Sequence, residues 1–280
     1  MELFKYLSDN RLRVLGNGLI RFTQPNSLND PFELKPELLS FADAPYTQES
    51  IERQYLEIFR GVYESLPSER KKLLSFKQVE ASIDKDHLFK SVTATMGNQT
   101  GQVKSELHRI LGSSIGVLSL SETPHNLLMW SHYANDHKGY VIGFDSEHEY
   151  FEQRRSEQDQ LRCLRKVRYS KDMPVVDLTD IKSIDELMIK GIDWSYEQEW
   201  RMLQDLTESV MEKGSESDPV HLFKIPFDAF MSVRIGAKVD LDVKRVLLDL
   251  LNNNLDLKHL KVYEMSVHRS KFELVESRIK

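Results

Sequence analysis

Apolar and polar positions alternate in short runs over most of this chain. They lengthen to helical spacing over residues 47–112 and again from Asp240. Leu3 to Leu7 alternates around Lys5 and predicts a first strand. Ser8 or Asp9 can cap a short helix that ends at Gly16-Asn-Gly18, after which Leu19-Ile-Arg-Phe22 alternates again. Gln24 to Glu33 is dense in turn formers. In the helical stretch, Ile51, Tyr55, Ile58, Phe59 and Val62 share one face, and Met96-Gly-Asn-Gln-Thr-Gly101 is expected to break the run.

From Ile115 the pattern returns to strands joined by short helices. Strands are expected at Ile115–Ser121, Tyr140–Phe144, Leu164–Tyr169, His221–Ile225, Val233–Ile235, Leu260–Val267 and Phe272–Val275. Helices are expected at Pro124–Asn135, Ile181–Ile189 and Asp240–Leu251, while Tyr196 to Leu203 alternates. Regular strand–helix–strand alternation is missing, so a doubly wound sheet is disfavoured. The fold class expected is α+β, with a mixed, largely antiparallel (split) sheet. One domain would span residues 1–280, with 47–112 as a helical insertion or lobe within it.

Composition narrows the class without choosing an activity. The 280 residues are 40% hydrophobic and 29% charged, as in a soluble globular protein. A net charge of -6 argues against a surface covered in nucleic-acid-binding charge, though a local basic groove is compatible with it. The single cysteine, Cys163, cannot form an internal disulfide and fits a reducing cytoplasm. No apolar run is long enough to span a bilayer, and the N-terminus does not read as a signal peptide, so a cytoplasmic location without membrane contact is expected.

Two islands of polar and aromatic residues stand out against this background. Ser119 to Gly139 gathers Ser119, Ser121, Glu122, Trp130, Tyr133, three histidines and Lys138 between apolar runs. Trp194 to Arg201 has the same character. Polar groups near a core are costly unless paired or used. As a strand, the second island puts Glu197, Glu199 and Arg201 on one face, where two carboxylates beside a guanidinium suit a ribose hydroxyl or an oxocarbenium-like centre. As a helix it would give only an ordinary Glu197–Arg201 pair one turn apart. In the first island Trp130 and Tyr133 share a helix face and could stack on a base or nicotinamide ring. The plainer reading makes Leu127 to Trp130 core and His132 a hydrogen-bonded histidine.

His125, His132 and His137 lack the spacing of a metal site on one helix face, so no metal is expected. Cys163 reads as a small buried hydrophobe, although Arg162, Arg165 and Lys166 could lower its pKa. Lys5, Tyr6 and Arg21 sit on the first two strands, where a basic side chain can take a phosphate or carboxylate or can snorkel to solvent. Asp30, in a turn, can accept hydrogen bonds from a site. Gly16-Asn-Gly18 has the pattern of neither a P-loop nor a dinucleotide-binding turn.

Five segments in order carry a resemblance: Phe4-Lys-Tyr6, Asn29-Asp-Pro-Phe-Glu33, Leu118-Ser-Leu-Ser-Glu122, Met129-Trp-Ser-His-Tyr-Ala134 with His137-Lys-Gly139, and Tyr196-Glu-Gln-Glu-Trp-Arg201. Together they resemble the bacterial family called domain of unknown function 2971, with residues 47–112 matching least. That family brings no settled activity. More distantly, the order of Lys5 or Arg21, then Ser119-Leu-Ser121, then Glu197-Gln-Glu199 is similar to ADP-ribosyltransferases, which bind NAD in the cleft of a split sheet.

That likeness implies roles. Glu199 would hold a nicotinamide-ribose hydroxyl and stabilise positive charge as nicotinamide leaves, and Glu197 would position the acceptor. Ser119 and Ser121 would brace the cleft, Trp130 or Tyr133 would stack on nicotinamide, and Arg201 would join the NAD-binding set. His132 is the remaining catalytic candidate. NAD would be a substrate, with a protein or nucleic acid as acceptor, in a bacterial stress, toxin or phage-defence setting. Two other readings stay open. One is a nuclease-like nucleic-acid enzyme or binder using Lys138, Arg165, Lys166 and Arg168 on phosphate with His132 or His137 as acid/base. The other is a non-catalytic sensor whose 47–112 lobe docks a partner.

Overall fold

The computed structural model describes residues 1–34, 37–38, 48–64, 71–72, 75–176, 184–215 and 218–280. These fall into two compact units. One comprises Met1–Pro36, Ile110–Pro174 and Lys182–Lys280; the other comprises Glu37–Arg109 and Val175–Ile181. The expected face of Ile51 and Val62, and residues 181–183 of the expected Ile181–Ile189 helix, lie outside the described residues and side chains.

The first unit opens with β1 (Glu2–Leu7), a short α1 (Arg13–Asn17) and β2 (Leu19–Phe22). Gly18 ends α1 in the left-handed region at φ 70°, its N–H donating to the Val14 carbonyl, which is the geometry glycine adopts at least cost. In the second unit, β3 (Glu37–Leu38) is followed by α2 (Gln48–Glu64), α3 (Phe76–Ala81) and the start of α4 (Lys85–Ser114). The expected break at Met96–Gly101 does not occur, for α4 runs through both glycines. A glycine in a helix interior costs only about 1 kcal/mol, which a helix of this length absorbs.

The chain then builds β4 (Ile115–Ser121), α5 (Leu127–Tyr133), β5 (Tyr140–Asp145), β6 (Leu164–Lys166), β7 (Arg168–Ser170), β8 (Val175–Val176), β9 (Ile189–Gly191) and β10 (Glu199–Asp205). It closes with β11 (Met211–Ser215), β12 (Asp218–Lys224), β13 (Phe230–Ile235), α6 (Leu241–Asn253), β14 (Lys261–Val267) and β15 (Leu274–Arg278). The fold is α+β. An eight-stranded sheet runs β15-β14-β13-β5-β1-β4-β10-β6, antiparallel throughout except for the parallel β13–β14 pair. A second, three-stranded sheet of order β11-β12-β2 lies in the same unit.

Side chains alternate across the large sheet and divide its core. Leu3, Leu118, Leu120, Ile142, Phe144 and Met202 pack on one face with Leu247 and Leu251 of α6. Phe4, Tyr6 and Val141 pack on the other with Met129 and Trp130 of α5. Asn126 caps α5, its side-chain oxygen accepting from the Leu128 and Met129 N–H groups.

Three expected elements are corrected. Leu164–Tyr169 is two strands in different sheets, parted at buried Val167, whose N–H donates to the Glu199 carbonyl. Over the described part of Ile181–Ile189 there is a single 3-10 turn at Ile184–Leu187 and then β9, because Arg168–Ser170 pairs with Ile189–Gly191. Tyr196–Leu203 is neither one strand nor a helix. A 3-10 segment spans Ile192–Glu197, Gln198 turns the chain at φ 46°, and β10 begins at Glu199.

One irregularity places the site. β1 and β4 share a single paired position, Phe4 with Ser121, although β1 pairs β5 at six positions and β4 pairs β10 at seven. Beyond Phe4–Ser121 the two strands separate, and the main chain of β4 instead exchanges hydrogen bonds with Thr23 through Val117. The sheet is split at this seam.

Candidate functional site

A cavity of about 540 Å³ lies at the split, within the first unit. Lys5 and Tyr6 of β1, Arg21 of β2, Ser119 and Ser121 of β4, Tyr133 of α5, Lys190 of β9, and Glu197 and Glu199 beside Gln198 all line it, with Glu33 from the turn after β2. Sequence positions more than 190 residues apart thus meet in one space because β1, β4 and β10 are neighbours in the sheet.

The acidic end is a buried ion network. Lys190 Nζ stands 2.6 Å from Glu197, 3.1 Å from Glu33 and 3.4 Å from Glu199, and 4.7 Å from the centre of the Trp194 ring. Arg201, fully buried on β10, grips Glu199 with two donors, Nε and Nη2, each at 2.8 Å, and Nη2 also donates to Glu33. Such a fork fixes the plane of the carboxylate as well as its charge. Three carboxylates share two cations here, so one proton is easily retained. Burial first, and the Glu197 charge with it, push the Glu199 carboxyl up to about 7, while Lys190 and the Ser119 hydroxyl pull the other way. Burial lowers Arg201 to about 9 against the charge of Asp30, which leaves it a cation at neutral pH. Burial acts to lower Lys190, but Glu199 and Glu197 outweigh it and raise its pKa.

Hydrogen bonds to neutral groups fix the rest. Tyr133 donates to Glu197 at 2.6 Å and accepts from Asn29 Nδ2 at 2.8 Å. Ser121 donates to the Glu197 carbonyl at 2.6 Å, and Asn126 Nδ2 to the Tyr196 carbonyl at 3.2 Å, which ties down the 3-10 segment before Gln198. The Glu199 N–H donates to Tyr169, whose own hydroxyl is pushed up to about 12 by burial.

Lys5 is different in kind. Its Nζ crosses the split to donate to the Ser119 carbonyl at 3.0 Å. Burial lowers its pKa to about 8, with Glu199 and Glu197 opposing and Arg11 assisting. An amine that is partly neutral near physiological pH and a carboxyl that is partly protonated there face one cavity. That combination can accept and donate protons to a bound molecule.

The structure brings together Lys5, Tyr6, Arg21, Ser119, Ser121, Tyr133, Glu197 and Glu199 on the cavity wall. Arg201 lies behind the wall and holds Glu199. Trp130 is fully buried, donates from Nε1 to the Pro124 carbonyl at 2.7 Å and meets Tyr6 edge-on, so it is core and turns no face to the cavity. His132 is exposed, tilted near Tyr133 and Tyr196, and does not line the cavity. His137 packs flat against Trp130. Cys163 is buried, and burial raises its thiol, against Arg165 and Arg154. Of the basic residues suited to phosphate, Arg165 meets Asp185 at 3.0 Å and Lys166 meets Glu122 at 2.6 Å.

Lys190 was not singled out in the sequence, and Glu33 only as the end of the Asn29–Glu33 segment, with no role of its own. Lys190 stands between Ile189 and Gly191-Ile192, a lone charge in an apolar run, which is the signal that could have found it. Among the described residues no group of His, Cys, Asp and Glu has metal-site geometry, and no helix is long and apolar enough to cross a membrane.

A family model described as "Protein of unknown function (DUF2971)" matches residues 129–202. Tyr133, Lys190, Glu197, Glu199 and Arg201 fall inside that span, and Lys5 and Glu33 outside it. Neither the curated proteins nor the solved structures contain a match to the chain.

Proposed function

We propose that the split-sheet cavity is the active site of an enzyme that cleaves the glycosidic bond of NAD and passes the ADP-ribosyl group to an acceptor, in the manner of ADP-ribosyltransferases. The observation that carries this reading is the convergence of Lys5, Ser119, Ser121 and Glu199 from three adjacent strands, with Glu197 from the 3-10 segment before β10, on one cavity. The charge distribution supports it. Lys190 and Arg201 engage Glu33, Glu197 and Glu199, with Lys5 near enough to feel Glu199 and Glu197, whereas Arg11, Arg13 and Arg21 add positive charge to the same wall. An anionic ligand with a hydroxyl-rich portion fits such a division, its phosphates near the arginines and its ribose near the carboxylates.

In this reading Glu199, held flat by Arg201, accepts a hydrogen bond from a ribose hydroxyl and stabilises positive charge as nicotinamide departs. Glu197, held by Lys190 and Tyr133, orients the acceptor. The acceptor is a protein or a nucleic acid, and the setting is bacterial defence.

The test incubates the protein with NAD, with and without cell extract, and follows nicotinamide release and ADP-ribose transfer. Turnover that is lost in Glu199→Gln, while NAD still binds by calorimetry, supports the reading. Absence of both turnover and NAD binding overturns it.

A further inference from the structure

The large sheet ends in β15, and among the described residues no strand pairs with its outer edge. β15 pairs with β14, and Val275, Glu276, Ser277 and Arg278 are all exposed. An exposed strand edge presents a row of backbone donors and acceptors ready for another strand. Two hydrogen bonds identify that row. The His268 N–H donates to the Glu273 carbonyl at 2.9 Å, and the Ile279 N–H to the Val262 carbonyl at 2.9 Å. In an antiparallel ladder the residues of one parity face the partner strand. Val275 and Ser277 therefore bond inward to β14, and Glu276 and Arg278 turn their N–H and C=O groups outward.

We propose that this edge pairs with β15 of a second copy of the chain, antiparallel, about a two-fold axis at Ser277. Charge complementarity selects the register. With the axis at Ser277, Glu276 faces the partner subunit's Arg278 on both sides of the axis, and each such pair exchanges two backbone hydrogen bonds. An axis at Glu276 would instead set that carboxylate against its own copy. The chosen register also sets Val275 against the partner subunit's Ile279 on the opposite face. Those side chains are 39% and 44% exposed in the single chain, so the pairing covers apolar surface too. The interface is isologous and closes as a dimer.

Arg278 is the position to vary, since among the described residues its guanidinium donates to the nearby Lys280 carbonyl at 2.8 Å, whereas Glu276 holds Arg234 of the neighbouring core. Arg278→Glu places like charges opposite each other, and Arg278→Pro removes an outward N–H while leaving the bonds to β14. Sedimentation velocity is read over a wide range of protein concentration, with circular dichroism as the check on folding. The expected result is a doubling from 32.7 kDa in the unaltered protein and loss of that doubling in both variants. A protein that stays monomeric, or variants that still dimerise, overturn the proposal. Amide exchange on the unaltered chain gives a readout free of substitutions. Glu276 and Arg278 should exchange more slowly as concentration rises while Val275 and Ser277 do not change, and equal behaviour of the two sets overturns the pairing.

Discussion

Lys190 and Glu197 meet at 2.6 Å with side chains that are 5% and 4% exposed. The ammonium also serves Glu33 and Glu199, so it is the hub of three buried carboxylates. Lys190→Met should cost about 3–5 kcal/mol, because charges left buried without a partner are penalised far more than an intact pair is worth. Urea denaturation measures this. Lys190→Met combined with Glu197→Gln should recover part of the loss, and strict additivity of the two would contradict the network.

Arg201→Lys keeps the charge and removes the fork. Glu199 would lose one of its two 2.8 Å donors, and a compact ammonium cannot hold the carboxylate plane. Stability should fall by about 1–3 kcal/mol. If the proposed activity holds, NAD turnover should fall more than NAD binding. Unchanged turnover would show that the plane of Glu199 has no part in chemistry.

The two shifted groups give opposite pH signatures. Glu199 rises from 4.5 to about 7 on folding, so the native state holds the extra proton in that interval and stability declines as pH climbs through it. Lys5 falls from 10.5 to about 8, so the unfolded state holds the extra proton and stability increases as pH climbs from about 8 to 10.5. Denaturation midpoints across pH should flatten in the lower window for Glu199→Gln and in the upper one for Lys5→Met. A slope that persists in the relevant variant would assign it to another group.

Gln198 sits at φ 46° between the two site glutamates. Gln198→Gly should be stabilising, or neutral within about 0.5 kcal/mol, and Gln198→Val should cost at least about 1 kcal/mol, since a β-branched residue fits the left-handed region poorly. Thermal melts of the pair check the prediction. Equal melting points would mean that the turn is not held in that region.

Leu3–Leu7 was legible from its apolar run, although Leu3 packs on one face of the sheet and Phe4 and Tyr6 on the other. Leu19–Phe22 was legible because one face is buried, Ile20 and Phe22 alternating with Leu19 and Arg21. The amphipathic helix from Asp240 was legible for the same reason, with Asp240 as its cap. The Glu197–Arg201 stretch was misread as one element. Local pattern does not reveal a single left-handed residue, and a one-residue turn changes which side chains share a face. Ser119, Ser121, Glu197 and Glu199 were recognised because four polar groups interrupt apolar runs. Lys190 went unrecognised because it is one charge whose partners Glu197 and Glu199 are brought to it only by the turn at Gln198, and Glu33 was given no role because its partner Arg201 lies 168 residues away. Trp130 shows the converse. Its spacing suited a stacking platform, but tertiary packing made it core.

The seam between β1 and β4 carries a final implication. Two positions on from the Phe4–Ser121 pair, Tyr6 and Ser119 would form the next rung of the ladder; the strands have parted there, and the Lys5 ammonium occupies the Ser119 carbonyl. Where the ladder bond is missing, a buried ammonium from one strand bridges to the main chain of the other, and the sheet is held across its gap by a side chain. Replacing Lys5 would therefore loosen the seam and alter the charge of the cavity in one stroke, so the two are not separable by substitution at that position.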